Sequence, residues 1–109
     1  MADERLSIVL VTAPSADVAR HLARDLVTER LAACVNVVPG VMSIYAWEGK
    51  VEQADEVLMV IKTRRSRYGA LEQYVRMHHP YDTPEIVELP ADRVTPAYWA
   101  WVMHETTHG

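Results

Sequence analysis

The chain has 109 residues, 50% of them hydrophobic and 24% charged, with a formal net charge of -4. That length and balance indicate one folded domain over residues 1–109 and exclude a disordered chain, while the acidic sign disfavours nucleic acid as a partner. Cys34 is the single cysteine, which excludes an intrachain disulfide scaffold, and no apolar run approaches the roughly 20 residues of a membrane helix.

The start, Met1 to Arg5, carries Asp3 and Glu4, and the apolar run Leu6–Val11 is too short for a signal segment. The expectation is a cytoplasmic protein with no membrane partner. Leu6–Val11 instead reads as a first strand, closed by Thr12-Ala13-Pro14. Ser15 suits a helix N-cap with Asp17 in the first turn. Val18, Leu22, Leu26 and Val27 then repeat at helical spacing, with Arg20, Arg24, Asp25 and Glu29 turned outward, to an end near Leu31.

Residues 33–38 and 41–47 are extended on either side of Pro39-Gly40, with Val41, Ser43, Tyr45 and Trp47 sharing one face. Glu48-Gly49-Lys50 signals a hairpin, and residues 51–63 return as the third strand. Ser66 is placed to cap a second helix whose inward stripe is Tyr68, Leu71, Val75 and His78, stopping before His79-Pro80. Glu85–Leu89 reads as a short last strand. Thr95-Pro96 opens a final helix with Trp99, Val102 and Met103 on one side.

The order β-α-β-β-α-β plus a helix is the split βαβ arrangement, an α+β sandwich on an antiparallel sheet. Its first and third strands read apolar on both faces, so both faces need cover. Residues 51–63 as one strand span about 43 Å, more than the width of roughly 34 Å expected of a compact chain this size. The hairpin therefore overhangs its own globule and carries Tyr45 and Trp47 with it. Self-association is the simplest way to shelter it.

Five stretches in order resemble the CutA divalent-cation tolerance family: Thr12-Ala13-Pro14; Leu31-Ala32-Ala33-Cys34-Val35-Asn36; Ser43 through Lys50; Glu56 with Ile61-Lys62-Thr63; and His78-His79-Pro80-Tyr81-Asp82-Thr83-Pro84-Glu85-Ile86. The resemblance implies a ferredoxin-like subunit, a homotrimer built through the long hairpin, and a link to tolerance of copper and other divalent cations, with no obligatory cofactor. It also implies a likeness to the trimeric nitrogen-regulatory PII proteins, hence the alternative of a small-anion sensor or interaction scaffold. Some relatives carry a cysteine where this chain has Val11, and others one near Tyr74 or Val75. A multi-cysteine metal site cannot form within one chain here.

The candidate metal ligands are Cys34, His78, His79 and Glu85. Thiolate suits Cu(I) and softer divalent ions, while imidazole and carboxylate suit Cu(II), Zn(II) and Ni(II). Pro80 breaks the backbone after the histidine pair, which otherwise diverges by about 100° on a helix. Against this stand a small buried cysteine and helix-end histidines that cap carbonyls.

A second candidate is a cleft between subunits, lined by Tyr45, Trp47, Glu48 and Tyr81, in which Lys62 and Arg64 hold an anion or carboxylate beside the start of the second helix. A solvated basic turn (Lys62, Arg64, Arg65, Arg67) and interface packing of the aromatics are the plain alternatives. His21, His104 and His108 read as surface residues. No Gly-rich phosphate loop, nucleophile elbow, HExxH or CxxC occurs, so catalysis is not expected.

Overall fold

The computed structural model describes residues 4–107; Asp3 and His108, both weighed above, lie outside the described residues. The elements are β1 (Leu6–Ala13), α1 (Ala16–Thr28), β2 (Cys34–Trp47), β3 (Lys50–Arg64), α2 (Tyr68–His78), β4 (Ile86–Pro90) and α3 (Pro96–Glu105). The four strands form one antiparallel sheet in the order β2-β3-β1-β4, the split βαβ order expected.

Ser15 caps α1 as read from sequence, its hydroxyl accepting from the Val18 N–H at 3.2 Å. The helix ends three residues earlier than expected. Arg30 takes φ 59°, Arg30 N–H donates to Val27 O and Leu31 N–H to Leu26 O. This is a Schellman cap, with Leu31 and Leu26 both in the core. The buried stripe of α1 is Ala19, Leu22 and Leu26, whereas Val27 is exposed.

Three other local expectations are corrected. Ser66 does not cap α2: it sits in a 3-10 turn (Arg65–Arg67), and its hydroxyl and N–H both donate to Glu4. His78 does not join the inward stripe of α2, whose buried residues are Leu71 and Val75; it is exposed. Thr95 occupies the N-cap of α3 without a side-chain hydrogen bond, leaving Pro96 and the Trp99 N–H to Thr95 O bond to start that helix.

The core lies between the sheet and helices α1 and α2. Val9, Val11 and Ala13 of β1, with Val57, Met59 and Ile61 of β3, meet Leu22, Leu26, Leu71 and Val75. The alternating residues Ile8, Leu10, Leu58 and Val60 turn to the other face, where they are only half-buried. Helix α3 covers one end of that face through a small cluster of Leu6, Ala33 and Val102. Val87 and Leu89, which pair with Leu10 and Ile8, remain exposed.

The hairpin overhangs. Strand β3 pairs with β1 only from Val57 to Arg64, and among the described residues its stretch from Lys50 to Glu56 has β2 as its only strand partner. The turn closes in two residues with φ 49° at Glu48 and 78° at Gly49, the type I′ geometry whose twist suits a hairpin. A register irregularity at Pro39-Gly40, with Gly40 at φ 79°, sits where the ribbon leaves the sheet. The long axis of the molecule is 43 Å against 26 and 24 Å for the others.

Candidate functional site

A cleft of about 790 Å³ opens between the ribbon and the segment from Pro80 to Glu85. Ser43, Tyr45 and Trp47 of β2, Glu56 of β3 and Tyr81 line it, with Thr12 at its floor. Local sequence explains the segment's course. Pro80 forces His79 out of the helical region, to φ -81° and ψ 140°, and the chain crosses the end of β1 before starting β4.

His79 holds that crossing. It is buried, its Nε2–H donates to Thr12 O at 2.8 Å, and its Nδ1 accepts from the Tyr81 N–H at 3.1 Å. The carbonyl can only accept, so the ring proton sits on Nε2 and both nitrogens are engaged. As a metal ligand His79 must first give up one of these bonds. Tyr81 in turn donates its hydroxyl to Glu56 Oε2 at 2.9 Å. Glu56, 9% exposed, is a cleft residue not among the candidates above; a carboxylate directly before the apolar run Val57–Ile61 is the available signal.

Burial, and then the hydrogen bond to Glu56, push the Tyr81 phenol up to about 12; burial and Glu72 do the same for Tyr68. A folded pKa above the free phenol's 10.0 stabilises the fold fully below that pH and is lost as pH rises through about 12. Tyr81→Phe is therefore expected to lose less melting temperature than the parent across this alkaline window. Phenolate absorbance should also show one fewer late-ionising tyrosine. An unchanged count of late phenols would refute the assignment.

The expected cations are elsewhere. Lys62 lies six residues along β3 from Glu56, about 20 Å away at strand rise, and donates to Asn36 Oδ1. Arg64 reaches α3: its guanidinium donates to Met103 O at 3.3 Å and Thr106 O at 3.1 Å, and pairs with Glu4 at 3.2 Å. Arg67 donates to Arg30 O just past α1. The basic turn thus serves helix C-termini, where cations are favoured by the dipole. Within one chain the cleft brings together Tyr45, Trp47 and Tyr81 and does not include Glu48, Lys62 or Arg64.

The four metal candidates are not brought together. Glu85 is in the cleft. His78 is exposed at the end of α2, its Nδ1–H donating to Tyr74 O at 2.9 Å and its ring stacked on Tyr74 at 4.0 Å. Cys34 opens β2 opposite Lys62, half-buried. It lies beside Tyr98, whose phenol is raised by burial and then by the thiol. Among the described residues no group of three or more His, Cys, Asp or Glu side chains is arranged to hold a metal ion.

A model described as "CutA1 divalent ion tolerance protein" matches residues 7–105. The chain belongs to this family. The divalent-cation tolerance protein CutA of Thermus thermophilus is 46% identical over 99 residues, covering 91% of this chain and 96% of that protein. The Xenopus laevis protein CutA homolog is 50% identical over 97 residues, 89% of this chain and 64% of the relative. The chain spans about 54–64% of the length of such animal and plant CutA proteins. Among solved structures, the T. thermophilus divalent cation tolerance protein matches with a TM-score of 0.91 at 45% identity, covering 94% of this chain and 99% of that one. CutA1 from Oryza sativa matches at 0.92 and 40% identity, covering 99% and 100%. The α+β architecture, with its four-stranded antiparallel sheet and three helices, is that of CutA1 structures.

Proposed function

We propose that this protein is a homotrimeric, non-catalytic divalent-cation tolerance protein of the cytoplasm that binds metal weakly, with Cu(II) the first ion to test. The observation that carries the assembly is the ribbon. Val51 is 80% exposed, Ile44 65% and Met42 61%, on the part of the ribbon with which no third strand pairs among the described residues. A protruding apolar ribbon on a chain whose open sheet face is only half-covered calls for another copy. Threefold closure is what the CutA resemblance implies.

The metal reading takes its support from the family's name and from the donor types present. Cys34, His78 and Glu85 lie apart in one chain, so any two of them on one ion require a second copy or a rearrangement. His79 contributes only by releasing Thr12 O or the Tyr81 N–H. The lining of the cleft in one chain includes Glu56, Asp82 and Glu85 and no lysine or arginine, so the small-anion alternative needs cations brought to it by a neighbouring copy. Cytoplasmic placement is part of the proposal; relatives bear names that place them in the chloroplast in Arabidopsis thaliana and the periplasm in Archaeoglobus fulgidus.

Calorimetric titration with Cu(II) and Zn(II), then with phosphate and small carboxylates, separates the readings. Heat from the metals alone is expected. Heat from the anions alone would favour the sensor, and none from either would leave a scaffold.

A further inference from the structure

The groove between α1 and α2 is lined by Asp17, His21, Asp25, His78 and Pro80. The two helices run antiparallel, because each returns the chain against the direction of its preceding strand and β1 and β3 are antiparallel. One contact sets their register: the Tyr74 hydroxyl donates to Asp25 Oδ2 at 2.9 Å. A step of four residues toward the start of α1 reaches His21, and four toward the end of α2 reaches His78, each about 6 Å along its axis. The two imidazoles thus line the same groove from opposite walls, His21 from α1 and His78 from α2.

Their protons are placed alike. His21 Nδ1–H donates to Asp17 O at 2.8 Å and His78 Nδ1–H to Tyr74 O at 2.9 Å. A carbonyl only accepts, so in both rings Nε2 carries the free lone pair. A hydrogen bond from the other ring nitrogen to a carbonyl is the usual support for a metal-bound imidazole, since it sets tautomer and orientation. Tyr74 contributes three times over: its carbonyl holds His78, its ring stacks on His78 at an 18° interplanar angle, and its hydroxyl ties down Asp25. His79, with both nitrogens occupied, offers the contrast within the same dipeptide.

We propose that His21 and His78 form a two-imidazole site for a borderline divalent cation, Cu(II), Ni(II) or Zn(II), in the groove between α1 and α2. Water completes the coordination; the Asp17 carboxylate is paired with Arg20 at 2.6 Å and the Asp25 carboxylate accepts from Tyr74, so neither is counted as a ligand. Both imidazoles are exposed, so a hydrated ion reaches them without any opening of the fold. Two neutral nitrogen donors select these metals over Mg(II) and Ca(II), which prefer oxygen. The site rests on reading the protein as a divalent-cation binder, and it needs no second copy.

The test titrates the full-length protein with CuCl2 and NiCl2 by calorimetry and follows the histidine ring protons by NMR as Ni(II) is added. One ion per chain is expected, with the His21 and His78 resonances perturbed first. His21→Ala and His78→Ala should each weaken binding by at least the roughly 10–100-fold that loss of one supporting bond costs at a metal site. The double variant should be little worse than either alone, as two ligands of one ion require. Circular dichroism on these exposed positions checks that the fold is kept. Binding that survives His21→Ala but is lost in Cys34→Ser or His78→Ala overturns the site and leaves the wider metal reading standing. A parent protein that takes up no metal overturns both.

Discussion

Ile44→Asp is expected to convert the proposed trimer to a species of 12.4 kDa, one chain, by size-exclusion chromatography with light scattering. Ile44 pairs with Gln53 and Ala46 with Val51, so Met42, Ile44 and Val51 form a stripe on one side of the ribbon. Covering an isoleucine side chain is worth about 1.5–3 kcal/mol. In a closed trimer the substitution acts three times and leaves a buried carboxylate without a partner each time. Val27→Asp, an equally new charge on an exposed apolar position of α1, should leave the mass at three chains. If Ile44→Asp stays trimeric as well, the ribbon is not what holds the copies together.

Leu26→Ala should destabilise the fold by about 2–5 kcal/mol, measured from denaturant midpoints at one fixed protein concentration. Leu26 is fully buried between α1 and the sheet, and its carbonyl accepts from both Leu31 and Ala32 in the cap that ends the helix. The cavity would open among Val11, Met59 and Ile61, residues of rigid strands with little freedom to close it. Val27→Ala, one residue on, should cost less than about 0.5 kcal/mol because that side chain already faces solvent. Equal costs at the two positions would mean that α1 packs through a different face.

These two positions show how far periodicity reads. Leu26 and Val27 both fit a helical apolar stripe, yet adjacent residues differ by about 100° and only one can point inward. Ala19, buried though small, completes the stripe on which α1 rests. Ser15 was legible because its partner is three residues away. Ser66 looked equivalent, but Glu4, a residue distant in sequence, takes both of its donors. The cleft was legible in its aromatics and not in its charge. Lys62 and Arg64 are close in sequence to Tyr45 and Trp47 only across the hairpin, and pairing in register carries them to the far end of β3.

Sequence by itself determined the strand and helix order, the two-residue turn at Glu48-Gly49, the overhang of the ribbon and membership in the CutA family. Each of these is written in neighbours, in periodicity or in consecutive motif residues. Only the tertiary structure decided that His79 has no nitrogen to spare while His78 does, that Arg64 ends on α3, and that His21 shares a groove with His78. The bonds from His79 to Thr12, from Arg64 to Met103 and Thr106, and from Tyr74 to Asp25 join residues tens of positions apart, and those side chains carry no mark of their partners in the chain's local pattern.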